Sequence, residues 1–198
     1  MYKNLWLVIF FGVLLWSGIH PKDNFTLFLE VFPAIIGIII LAFTYRSFPL
    51  TTLLYVLILI HSVILMIGGH YTYAEVPLFD WIKDVFNLSR NNYDKVGHFT
   101  QGFVPAIIAR EIFIRKHIVN GKWWQRYLIV SVCLAFSAFY ELIEWLVAEL
   151  SGQDAKAFLG TQGYIWDTQS DMAWALFGSI FALITLSKLH DKQLKIYE

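Results

Sequence analysis

Apolar residues gather into long runs over residues 5–19, 25–45, 50–68, 96–114, 127–150 and 172–187. Each approaches the roughly 20 residues a helix needs to cross a bilayer. The first run reaches that length by borrowing Tyr2 and His20, the second carries Glu30 and Pro33 near its start, and the third holds only His61. The fourth carries Arg110 and Glu111, the fifth Glu141 and Glu144, and the sixth is led in by residues 167–171. Only helices or closed barrels satisfy their backbone in hydrocarbon. The runs are too continuous for barrel strands, so the pattern predicts one all-α domain over residues 1–198, a polytopic bundle of six transmembrane helices. No small-x-small cleavage site stands near Trp16-Ser17-Gly18, so the first run is expected to stay as a helix rather than be removed as a signal peptide.

Between the third and fourth runs the period changes. Leu78, Ile82, Val85 and Phe86 share one helical face, Asp80, Lys83, Asp84 and Asn87 lie largely opposite, and Pro77 suits a first helical position. This predicts a short amphipathic helix lying on the outer membrane surface or packed over the bundle mouth. Residues 151–166, with Gly152, Gly160 and Gly163, read as a structured outer loop, partly re-entrant.

Composition removes the soluble alternatives. The chain of 198 residues is 58% hydrophobic and 15% charged, against about 25% charged in soluble domains. Lys+Arg and Asp+Glu number 15 each, so no net field draws in nucleic acid. The single cysteine, Cys133, excludes an intrachain disulfide and a Cys-rich metal site. Residues 115–126 hold Arg115, Lys116, Lys122 and Arg126, and the C-terminal tail adds Lys188, Lys192 and Lys195. Lys3, Arg46 and Arg110 fall on that same side, with Lys22, Lys83, Arg90, Lys95 and Lys156 opposite. By the positive-inside rule both termini are cytoplasmic.

Ionisable groups inside spans are expensive and mark candidate sites. In this topology His70, at the end of the third span, lies near the outer interface. So do Asp94 and His98 on the fourth, Glu141 and Glu144 on the fifth, and Asp167 and Asp171 on the sixth. The spacings of three and four place each pair on one helical face. If the faces converge, these residues form an outer-side polar pocket. His70, Asp94, His98, Glu141, Glu144, Asp167 and Asp171 are then candidate ligands of a divalent metal ion. His98, Glu141, Glu144 and Asp171 are candidate catalytic groups, with His98 as a general base oriented by a carboxylate.

Each residue also has a plainer reading. Asp167 and Asp94 suit helix N-caps, and His98 or the Glu141/Glu144 pair suits interhelical hydrogen bonding. His61 suits a satisfied core histidine, and Arg110 and Glu111 suit local pairing or snorkelling. His20, His117 and His190 read as surface residues without partners. No Walker A, Gly-rich dinucleotide turn, His-Glu-x-x-His or Gly-x-Ser-x-Gly motif is present.

Gly68-Gly69-His70-Tyr71-Thr72-Tyr73, Tyr93-Asp94-Lys95-Val96-Gly97-His98-Phe99, Tyr140-Glu141-Leu142-Ile143-Glu144-Trp145 and residues 159–172 carry a family resemblance. Over residues 5–187 the chain resembles the YjdF-like bacterial inner-membrane proteins, a family of unknown function. It departs from that pattern at Tyr164, where an acid or small polar residue is expected. Asp94-Lys95-Val96-Gly97-His98-Phe99 is also similar to the Asp-Lys-x-x-His-Phe opening of a span in VanZ-like membrane proteins. Residues 171–178 resemble another of their spans, with Ala175 where their Asn falls. Those proteins are linked to glycopeptide antibiotic tolerance; the resemblance implies shared helical architecture and transfers no reaction.

Three functions follow as expectations. One is a protein of the lipid bilayer that binds or modifies a lipid or cell-wall headgroup at the outer pocket, with a divalent metal ion. Another is a small ion- or proton-coupled transporter using Glu141 and Glu144, which requires a polar path to Arg110 and Glu111. The last is a non-catalytic membrane scaffold.

Overall fold

The computed structural model describes residues 3–151 and 162–197. These form α1 (Lys3–Ser17), α2 (Asn24–Thr44), α3 (Thr52–Tyr71), α4 (Pro77–Val85), α5 (Tyr93–Arg115), α6 (Lys122–Ser151) and α7 (Asp167–Leu194), with no strand among the described residues. Residues 152–161, most of the expected glycine-bearing loop, lie outside the described residues. Four helices, α2, α3, α6 and α7, are long and apolar enough to cross a membrane, and α1 is a shorter apolar helix.

The departures from the expected boundaries have physical causes. Helix α6 starts at Lys122, inside the basic segment read as a loop, because Lys122–Tyr127 contains no helix breaker once Gly121 has turned at φ +89°. Helix α7 runs seven residues beyond the apolar run, to Leu194, because one face of its polar end, His190 and Leu194, is buried against the bundle. Helix α5 is long enough to span but carries Asp94, Lys95, His98, Arg110, Glu111 and Arg115, and it buries more residues than any other helix. Polar side chains in a span are tolerated when they face protein, and α5 packs against α3, α6 and α7.

The α5–α7 pair has the most extensive contact. Small residues let its backbones meet. A methyl group on Gly102 would lie 1.8 Å from the Ala175 carbonyl oxygen, and one on Gly178 would lie 2.1 Å from that of Phe99. Apolar burial gives little drive between helices in lipid, so such close approach carries the association. Phe99, Phe103, Phe177 and Phe181 flank the crossing with ring centroids 5.4–6.2 Å apart. A second core joins α1, α2 and α3 through Trp6, Phe10, Val31, Ala34 and Met66.

At the end of the bundle away from His98 a polar network joins α5, α7 and the turn before α3. Glu111, fully buried, accepts from Thr51 N at 3.1 Å, Thr51 Oγ1 at 2.7 Å, Arg115 Nη1 at 2.8 Å and His190 Nε2 at 2.9 Å. Arg110 donates to His190 Nδ1 at 3.0 Å and to Asp191. A guanidinium can only donate, so His190 Nδ1 is the acceptor and Nε2 carries the proton. His190 is therefore a buried keystone, and the surface reading is corrected. Both its partners come from α5, about 80 residues earlier in the chain, so only the fold reveals it. Arg110 and Glu111 pair across helices, beyond local pairing.

Helix α4 begins at Pro77 as expected. Leu78, Trp81, Val85 and Phe86 are exposed, while Phe79 stacks edge-on against Tyr93 with centroids 5.2 Å apart. Asn91 Nδ2 donates to Val76 O at 3.0 Å and Asp80 Oδ1 at 3.1 Å, fixing α4 beside the N-terminus of α5.

Candidate functional site

His98 occupies the junction of α5, α6 and α7. One turn along its own helix, Asp94 Oδ1 lies 3.2 Å from Nε2. Asp171 Oδ2 of α7 lies 3.8 Å from Nε2, and Glu141 Oε1 of α6 lies 3.8 Å from Nδ1. His98 Nδ1 donates to Gln101 Oε1 at 3.0 Å, which fixes the ring orientation. All four ionisable groups are buried.

Arg90, just ahead of α5, clamps two helices at this level. Its guanidinium donates to Asp167 Oδ1 and, at 3.3 Å, to Asp94 Oδ2. Neither aspartate caps its helix. The cap positions are Asn92 and Trp166, and neither cap side chain makes a cap hydrogen bond.

Below the cluster lies a cavity of about 500 Å³ between α2, α3, α5 and α6. Its polar end is lined by Glu30, Tyr73, Asp94, His98, Tyr140 and Glu144. Its body is mostly apolar, lined by Pro105, Ile108, Ala109, Ile112, Phe113 and Val132, with His61 among them. Phe136 and Phe139 on the α6 wall are 61% and 60% exposed, so that wall also faces the lipid side. From Asp94 to Phe113 the groove follows α5 for 19 residues, about 28 Å at 1.5 Å per residue.

Of the residues singled out in the sequence, Asp94, His98, Glu141, Glu144, Asp167 and Asp171 come together. His70 does not. Its Nδ1 donates to Ser17 O at 3.0 Å, its ring packs on Trp16, and its carbonyl accepts from Lys22 N at 3.0 Å. It holds the corner where the C-terminal ends of α1 and α3 meet, beside the Lys22–Glu75 pair at 2.9 Å, whose hydrogen bond raises the Lys22 pKa. His61 lines the cavity, and its Nε2 makes no hydrogen bond among the described residues, which corrects its reading as a satisfied core group.

Four contributors were not singled out from sequence. Glu30 is the lone acid inside the apolar α2, the same signal that marked Glu141. It accepts from Tyr140 Oη at 3.5 Å. Gln101 stands three residues after His98 on the same face. Arg90 stands four before Asp94, a spacing that a charge count hides. Tyr73 follows α3 with φ +54°, and its ring fills the space beside Gly68 and Gly97, where a methyl group would come within 2.2 and 2.8 Å of it.

The family described as "Predicted membrane protein (DUF2238)" matches residues 2–192. The chain belongs to this family. It is 50% identical over 183 residues to the inner membrane protein YjdF of Escherichia coli (strain K12), covering 92% of this chain and 88% of that protein. No solved structure matches. The family name carries no reaction.

Proposed function

We propose that this DUF2238 chain is a multi-pass protein of the bacterial inner membrane that binds a membrane lipid, with the headgroup beside His98 and the hydrocarbon chain in the apolar groove. In this reading α1, α2, α3, α5, α6 and α7 span the bilayer. Both termini lie in the cytoplasm, and α4 rests on the outer face with Leu78 and Trp81 toward the lipid. The E. coli relative's description as an inner membrane protein supports the location. The VanZ-like motif at Asp94–Phe99 adds helical architecture alone.

One observation carries the lipid reading: a single cavity joins an acid/imidazole end to a long apolar body. A free polar metabolite would leave that body dry. An ion relay would need a continuous polar chain between the His98 cluster and the Glu111 network, and beyond Gln101 the cavity offers His61 alone among Leu65, Pro105, Ile108, Ala109 and Ile112. His98, oriented by Gln101, is the group suited to bind the headgroup or remove a proton from it. Glu141, Glu144 and Asp171 stabilise positive charge around it.

The test is lipid analysis of protein purified in mild detergent, beside Ala109→Phe, which puts a ring into the groove. The expected result is a defined lipid class retained by the parent chain and lost from a folded Ala109→Phe variant. Equal lipid profiles in the two would refute the reading.

A further inference from the structure

We propose that Asp94, His98 and Asp171 bind a divalent metal ion at the head of the cavity, with Glu141 as an additional donor. The inference deepens the lipid reading, on which it rests for what the ion meets: an ion there offers an open position to a phosphate oxygen of the headgroup.

The geometry comes first. One donor atom from each of Asp94, His98 and Asp171 lies within 4.8 Å of the others, and all three residues are buried. Metal–ligand bonds of about 2.0–2.2 Å place neighbouring donors roughly 3–4 Å apart. His98 Nε2 lies 3.2 Å from Asp94 Oδ1 and 3.8 Å from Asp171 Oδ2, so small side-chain adjustments close the site. The donors arise on two helices whose crossing is fixed by Gly102 and Gly178, a rigid base for a site.

The surroundings are those of a ligand set. A metal-bound imidazole usually donates its other N–H to an acceptor, and His98 Nδ1 donates to Gln101 Oε1 at 3.0 Å. A ligating carboxylate is usually hydrogen-bonded on its far oxygen, and Asp94 Oδ2 accepts from Arg90 at 3.3 Å.

The independent observation is a pair of oxygens. Asp171 Oδ1 and Glu141 Oε1 are buried and accept no hydrogen bond from the described residues, in side chains whose residues are 3% and 7% exposed. Buried carboxylate oxygens without donors are costly. Among the described residues six buried carboxylates, those of Glu30, Asp94, Glu141, Glu144, Asp167 and Asp171, surround one buried guanidinium, Arg90, and one buried imidazole, His98. A proton on His98 adds a single charge and leaves both oxygens without a donor. A divalent ion supplies two charges and several coordination positions. One nitrogen with carboxylate oxygens suits Mn²⁺ or Zn²⁺, and Mg²⁺ if waters complete the shell.

The experiment strips the detergent-purified full chain with EDTA, reloads it with Mn²⁺, Zn²⁺ or Mg²⁺, and reads bound metal by mass spectrometry with thermal unfolding in parallel. The expected result is one ion per chain and a metal-dependent rise in melting temperature, both lost in Asp171→Asn and in His98→Gln. Without metal, Asp171→Asn melts no lower than the stripped parent, because it removes a like charge. No uptake by the parent, or equal uptake by both variants, overturns the proposal. Lipid retention is read on the same samples. Lipid held without metal uptake overturns the ion and leaves the lipid reading standing. Metal bound with no lipid retained does the reverse.

Discussion

Gly102→Ala tests whether the α5–α7 crossing sets the site. The new methyl carbon would start 1.8 Å from the Ala175 carbonyl oxygen. Carbon–oxygen contacts settle at about 3.3 Å, so the two backbones must part by about 1.5 Å. The Cβ position is fixed by its own backbone and the oxygen is main chain, so no side chain can swing aside. Overpacking of this kind costs about 1–3 kcal/mol, which for a chain of this size lowers the melting temperature by roughly 2–4 °C per kcal/mol. Gly102 stands one turn from His98, and Ala175 one turn from Asp171. The same displacement therefore widens the His98–Asp171 separation beyond its present 3.8 Å. Gly12→Ala is the control: a methyl group there meets nothing within 4 Å. Its helix-propensity gain of about 0.5–1 kcal/mol should show as unchanged or raised stability. The assay is thermal unfolding of both variants in one detergent, with bound divalent metal measured alongside. A Gly102→Ala variant that melts with the parent and keeps the same metal content would refute the close-crossing argument.

At the inner end, Glu111→Ala strands His190, Arg115 and Thr51 in a buried site, an expected loss of about 3–5 kcal/mol, read by denaturant or thermal unfolding; Glu111→Gln, which keeps acceptors for part of the network, should lose less. At the outer clamp, Arg90→Met leaves Asp94 and Asp167 facing each other without their shared guanidinium and should destabilise by a similar margin. Adding Asp167→Asn should restore part of the loss, a non-additivity of about 0.5–3 kcal/mol, and strictly additive losses would argue that Arg90 acts elsewhere. For topology, Asp84→Cys should react with a membrane-impermeant maleimide from outside intact cells and Lys116→Cys only after the inner face is opened. Cys133, fully buried, leaves the background silent.

The sequence carries the helices and their internal faces, but not which faces meet. Long apolar runs announce α2, α3, α6 and α7 because a span must hide its backbone along its whole length. Spacings of three and four put Asp94 with His98 and Glu141 with Glu144, since a helix turns every 3.6 residues. The meeting of those faces depends on the α5–α7 crossing, where Gly102 lies against Ala175 and Gly178 against Phe99. Gly178 sits in apolar sequence much as Gly12 and Gly37 do, and Gly102 differs by following Thr100 and Gln101, but flanking hydropathy does not say which glycine meets a neighbour: a methyl group on Gly12 or Gly37 meets nothing within 4 Å. His190 illustrates the same limit. Past residue 187 the sequence turns polar and reads as a tail, but a polar helix end is stable when another element supplies donors and acceptors, here Glu111 and Arg110. Arg90 was legible only as an outer-side charge, whereas burial between Asp94 and Asp167 makes it part of the site's frame. In each case the missing information is a contact between distant segments. The closed, fully bonded inner network and the outer cluster with its two unpaired carboxylate oxygens therefore divide the polar residues into one set that holds the bundle and another that leaves ligand positions open.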